Sequence, residues 1–167
     1  MFNIRTKDSI VYKTKDMEDC SVSEALETIY ENYPGAVAEL EWNNCVIPLL
    51  GHSIGSIYNS ITHLLSCMKD GIMNGTENFL DNTFTAKWKF QIKNDSITIE
   101  SYWIDVICTK GYLKGEVSVI SCKKDDFINE WNKLLLNIKK DLVINGYNTS
   151  LEGFEYLDKY IDEGVKE

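Results

Sequence analysis

His63 and Cys67 stand four residues apart in ITHLLSCM, a spacing that puts an imidazole and a thiol on one face of a helix, one turn apart. Those residue types suit two chemistries. A thiol beside a base is half of a nucleophilic site, which also needs a third group to orient the base. Two ligands on one helical turn are half of a metal site, which needs a second pair such as a CxxC. Neither completion stands near them in the sequence. His52 is the only other histidine, no HExxH or CxxC occurs, and Cys20, Cys45, Cys108 and Cys122 are scattered. The expectation is an ordinary part-buried pair, with no catalytic residue, no metal and no cofactor.

Two weaker patterns complete the search for chemistry. Gly51-His52-Ser53-Ile54-Gly55-Ser56 lies at a strand-to-helix junction, where backbone amides could hold an anion. It lacks both the third glycine of a dinucleotide fingerprint and the lysine of a P-loop, so a turn followed by an N-cap is the better reading. The carboxylate pairs Glu39/Glu41 and Glu77/Asp81 could be drawn as acid and base, yet surface carboxylates are common and the spacing alone selects no reaction.

Composition narrows the class. With 167 residues and 44% hydrophobic content the chain suits one globular domain, 1–167, able to bury a core without staples. The five cysteines are odd in number and widely spaced, which argues for reduced thiols rather than a disulfide framework. Neither a leader pattern nor an apolar run of membrane-spanning length is present, so a cytoplasmic protein is expected. The formal net charge is −9, and its distribution is uneven. Residues 1–52 carry four basic against nine acidic groups and 148–167 two against six, whereas 109–147 carry seven against five. Such a surface repels phosphates and attracts a basic protein, which disfavours nucleic acid as a direct partner.

The elements that must position these groups can be read in order. Residues 2–12 pattern as a strand. Ser21 and Glu24 form a capping box for a helix that presents Ala25, Leu26, Ile29 and Tyr30 to the core. Asn43-Asn44 joins strands 37–42 and 45–50, with Ala38, Leu40 and Trp42 inward, and Pro48 either places the second strand at an edge or ends it there. Ser53 is expected to cap a helix whose stripe runs Ile54, Ile57, Tyr58, Ile61, Leu64, Leu65, Met68. GIMNGTENFLDN reads as a loop. Phe84, Ala86, Trp88, Phe90 and Ile92 then alternate with polar residues, and the Asn94-Asp95 turn sets Ile92 against Ile97, Phe90 against Ile99 and Lys89 against Glu100. The phase break at Trp103-Ile104 predicts a bulge. A strand 116–122, a helix from Asp125 to Asn145 and a last helix capped by Thr149 and Glu152 complete the chain. Hairpins without regular strand-helix-strand crossovers predict an α+β fold, an antiparallel sheet with helices packed mainly on one face.

The segment from Ala38 to Trp103, with its ELEW and VIPL strands, amphipathic helix, TENFLDNTFTAKW stretch and long hairpin, resembles the small immunity proteins encoded beside bacterial polymorphic and contact-dependent toxins. Thr76, Phe79, Asp81 and Trp88 are similar to a stretch of such proteins in which a proline commonly follows the acid; Asn82-Thr83 stand here instead. The resemblance implies a protein that binds and neutralises a cognate toxin domain, often a nuclease, without chemistry of its own. An acidic inhibitor would suit a basic partner. Candidate partner-binding residues are Glu39 and Glu41 on the first hairpin, Glu77 and Asp81 before the second, Trp103 at the phase break, and Glu152, Glu155, Asp158 and Asp162 on one face of the last helix. Two other classes fit the composition: a small acid-base or nucleotide-handling enzyme, and a non-catalytic adaptor subunit. A large secreted protein with a toxic C-terminus encoded upstream would separate immunity from both.

Overall fold

The computed structural model describes residues 1–7 and 15–161, with side chains through Asp158. Strand β1 (Phe2–Thr6) pairs antiparallel with β2 (Ala36–Trp42), which pairs with β3 (Cys45–Leu50) to make a three-stranded sheet with β3 at its edge, as Pro48 requires. Of the strand expected over 2–12, residues 8–12 lie outside the described residues. Between β1 and β2, α1 (Val22–Tyr30) starts on the expected capping box: Glu24 N–H donates to Ser21 Oγ, and Glu24 Oε2 accepts from Ser21 N–H. Asn43 takes the turn between β2 and β3 at a φ of 53°, a left-handed conformation that asparagine tolerates.

Helix α2 (Ile54–Lys69) follows a single 3-10 turn over Gly51–Ser53. Ser53 does not cap it. Its backbone is already helical, and its Oγ donates instead to Asp81 and lies 2.6 Å from Thr83 Oγ1. Nor is this helix start open to an anion. A Cβ at Gly55 would stand 2.9 Å from Ser23 O and one at Gly51 3.0 Å from Tyr30 Cβ, so the glycines let α2 press against α1.

A second sheet contains β4 (Asn74–Asp81), β5 (Phe84–Lys93), β6 (Ser96–Cys108), β7 (Gly111–Leu113) and β8 (Glu116–Lys123), all antiparallel. The β5–β6 register is the expected one, Ile92 to Ile97, Phe90 to Ile99 and Lys89 to Glu100, and the shift falls at Ile104, between Trp103 and Asp105. Strand β4 corrects the expected loop over 71–82. Its inward positions are Gly75, Glu77, Phe79 and Asp81, only one of them apolar and large, while Leu80 points out at 75% exposure, so the usual alternation is inverted. Gly75 is small because the Phe90 ring lies 2.7 Å from where its Cβ would be.

Helix α3 (Lys124–Ile144) buries Phe127, Trp131, Leu134, Leu135, Ile138 and Leu142, and Tyr30 Oη of α1 donates to its buried Asp141. Helix α4 (Phe154–Ile161) begins later than expected. Thr149 and Glu152 do not form its cap, because residue 152 pairs its backbone with α1's entry: Glu152 N–H donates to Cys20 O and Val22 N–H to Glu152 O, each at 2.9 Å. The fold is α+β, with its antiparallel strands divided between two sheets rather than gathered in one.

The sheets meet on aromatic rings. Trp42 lies 5.0 Å from both Trp88 and Trp103 between centroids, and Phe79 4.5 Å from Trp88. Ser118 Oγ accepts from Trp42 Nε1 at 2.8 Å and from Trp103 Nε1 at 2.7 Å, satisfying two indole donors with one hydroxyl.

Candidate functional site

The starts of α1 and α4 are held beside the middle of α2 by backbone bonds already described and by Tyr58 Oη, which donates to Gly153 O at 2.7 Å. Gly153 makes the turn into α4 at a φ of 88°. Between these three helices runs a groove of about 420 Å³. Its walls are mixed: polar groups come from Ser21 and Ser23 at the start of α1, from Asn59, Thr62, His63 and Ser66 of α2 and from Glu152 and Glu155 around the entry to α4, and the rings of Tyr58 and Tyr156 complete the lining. The two carboxylates are exposed. Glu24, in the first turn of α1, is a third nearby anion in the chain. Backbone N–H groups of Cys20 and Ser21 donate to it at 2.8 and 3.0 Å and hold its carboxyl below the usual range.

Glu152 and Glu155 are the carboxylates that line the groove. No lysine or arginine occurs between Asp16 and Met68, a stretch with eight carboxylates. The residues of α1 and α2 that line the groove therefore include no lysine or arginine; Lys69 stands at the far end of α2. Such a cleft suits an ammonium or guanidinium group, which two carboxylates and several hydroxyls can coordinate together.

The other candidate residues do not converge there. Glu39 sits on β2, where Lys7 Nζ approaches it at 2.7 Å and Arg5 at 3.9 Å, so its charge is locally matched. Glu41 is half-buried on the same strand. Asp81 accepts from Ser53 Oγ and from Thr83 N–H, closing the β4–β5 turn onto α2. Trp103 is 1% exposed, which corrects its reading as a surface anchor: the bulge falls where expected, but it turns out Ile104 and leaves Trp103 in the aromatic core. Asp158 pairs with Lys139 of α3. Asp162 lies outside the described residues.

Glu77 is corrected most informatively. It was expected in an open loop, but β4 carries it under α2, where it is 8% exposed and its Oε2 lies 2.6 Å from His63 Nδ1. On the far side of the ring, His63 Nε2 is 3.7 Å from Cys67 Sγ. The orienting group missing from the sequence around His63 thus arrives from the next strand. The signal was present in the spacing. From His63 to the end of α2, and from the start of β4 to Glu77, the chain covers about 10 Å each way, so a strand returning antiparallel to the helix brings 77 beside 63. Among the described residues no group of three or more His, Cys, Asp or Glu is placed to hold a metal ion, and no helix is long and apolar enough to cross a membrane.

No family model, curated protein or solved structure matches the chain.

Proposed function

We propose that this chain is an immunity protein, one that binds a basic toxin domain and neutralises it by occupying the surface the toxin needs. The observation that carries the reading is the acidic groove. Glu152 and Glu155 line it at the entry to and first turn of α4, and the residues that α1 and α2 bring to it include no lysine or arginine. A basic side chain inserted there exchanges water for charge-assisted hydrogen bonds, and the summed field of a chain at −9 speeds the encounter. For a toxin that cleaves nucleic acid, the same residues that bind phosphate would bind these carboxylates.

The test is to look for a large secreted protein with a toxic C-terminal domain encoded immediately upstream and to co-express that domain with this chain. The proposal expects survival, a complex that co-purifies, and an association rate that falls as salt is added. Absence of any complex with that domain, together with unprotected cells, would refute it.

A further inference from the structure

Cys67 has a base beside it, and the base has an orienter. His63 Nε2 lies 3.7 Å from Cys67 Sγ, within the range for hydrogen bonds to sulfur, and Nδ1 lies 2.6 Å from Glu77 Oε2. Glu77 is fixed by burial on β4, so an ionised carboxylate there assigns the ring proton to Nδ1 and turns the Nε2 lone pair toward the thiol. The thiol rests protonated, because burial first and then the carboxylates of Glu77 and Asp70 push it up from its ordinary value. It must therefore lose its proton as it attacks, and Nε2 is the atom placed to receive it.

The surroundings decide which electrophile fits. Acyl transfer needs backbone N–H donors aimed at a developing oxyanion. The amides that follow Cys67 are committed elsewhere: Asp70 N–H to Ser66 O at 2.9 Å, Gly71 N–H to Met68 O at 3.3 Å and Ile72 N–H to Cys67 O at 3.0 Å. Attack on a disulfide sulfur needs no oxyanion site, only an accessible thiol and a route for its proton.

We propose that Cys67 is a modification site, a thiol that exchanges with small-molecule disulfides such as oxidised glutathione, with His63 as its general base and Glu77 as the residue that positions His63. In the step, the Cys67 Sγ–S bond forms as the S–S bond of the incoming disulfide breaks. The proton passes from Sγ to His63 Nε2 and then to the departing thiolate, and Glu77 offsets the transient imidazolium charge. The product is a mixed disulfide on Cys67 and one free small-molecule thiol.

The experiment exposes the folded full-length chain to oxidised glutathione and follows each cysteine by peptide mass spectrometry. Cys67 should acquire the adduct first, ahead of Cys20, which is more exposed and whose thiol donates to Glu18 O. His63→Gln, at an exposed position that should leave the fold intact, should slow the Cys67 rate at least about tenfold and leave Cys20 unchanged. Added imidazole should restore part of that loss. Glu77→Asp should keep more of the rate than Glu77→Gln. Faster reaction at Cys20 than at Cys67, or an unchanged Cys67 rate in His63→Gln, would overturn the assignment.

Discussion

Ser118 satisfies two tryptophans from two sheets, so its loss should be felt out of proportion to its size. Ser118→Ala leaves the indole N–H groups of Trp42 and Trp103 without their acceptor, and each unpaired buried donor costs about 1–3 kcal/mol. Denaturant midpoints should fall accordingly, by more than for Ser121→Ala at the exposed face of the same strand. A second residue couples stability to alkaline pH. Tyr147 Oη donates to Asp19 and accepts from Asp16 N–H at 3.0 Å; burial, then the Asp19 bond, pushes the phenol up to about 12. The folded chain then holds this proton more tightly than the unfolded one, whose phenol titrates near about 10. The resulting contribution is fully present below that value and is lost as pH rises toward about 12. Tyr147→Phe should flatten the fall in stability across that window, as read by chemical denaturation at successive pH values. Single residues also show where sequence reading stops. His63 and Cys67 were visible as a pair, but Glu77 is fourteen residues from His63 and becomes its partner only through a strand whose own pattern was hidden.

At the scale of elements, the interlocking of local signals explains what could be read. Helix α1 starts where Ser21 and Glu24 satisfy each other's backbone donors, and Ser21→Ala should cost about 1 kcal/mol, or more because this segment also carries the backbone bridge to Glu152. The β5–β6 hairpin was legible in full, since alternation, turn residues and the Lys89–Glu100 pair all select one register. Trp88 sits at its centre with no exposed surface, touching Phe79, Phe84, Trp42 and Trp131; Trp88→Ala should cost about 3–5 kcal/mol, measured by equilibrium unfolding. Strand β4 was illegible for the opposite reason. Its inward face is filled by a glycine that accepts a phenyl ring, by a carboxylate that meets a histidine and by another that bonds a serine, so tertiary partners replace the apolar side chains that periodicity detects. The missed start of α4 has a similar cause. Glu152 mimics a capping residue in sequence, while its backbone is taken by α1.

For the molecule as a whole, the distribution of charge matters more than its sum. Four of the eight candidate carboxylates have an internal use: Glu39 faces Lys7 and Arg5, Asp158 faces Lys139, Glu77 holds His63 and Asp81 bonds Ser53. Glu152 and Glu155 differ, because they border a groove whose other lining residues include no lysine or arginine. The proposed function is therefore tested by comparing the two surfaces per unit of charge reversed. Glu152→Lys with Glu155→Lys should lower the rate of association with the basic toxin domain by about tenfold at low salt, and should do so with little change in unfolding midpoint, since both side chains are exposed. Glu39→Lys changes the net charge of the chain in the same direction but acts where cations already stand. Its effect on association should be small, and its main consequence should be repulsion of Lys7 within the first sheet. Stopped-flow association of both variants over a salt series separates the local field of the groove from the net charge of the protein. If the two variants slow binding equally per unit of charge, the groove has no privileged role and another face of the molecule meets the toxin.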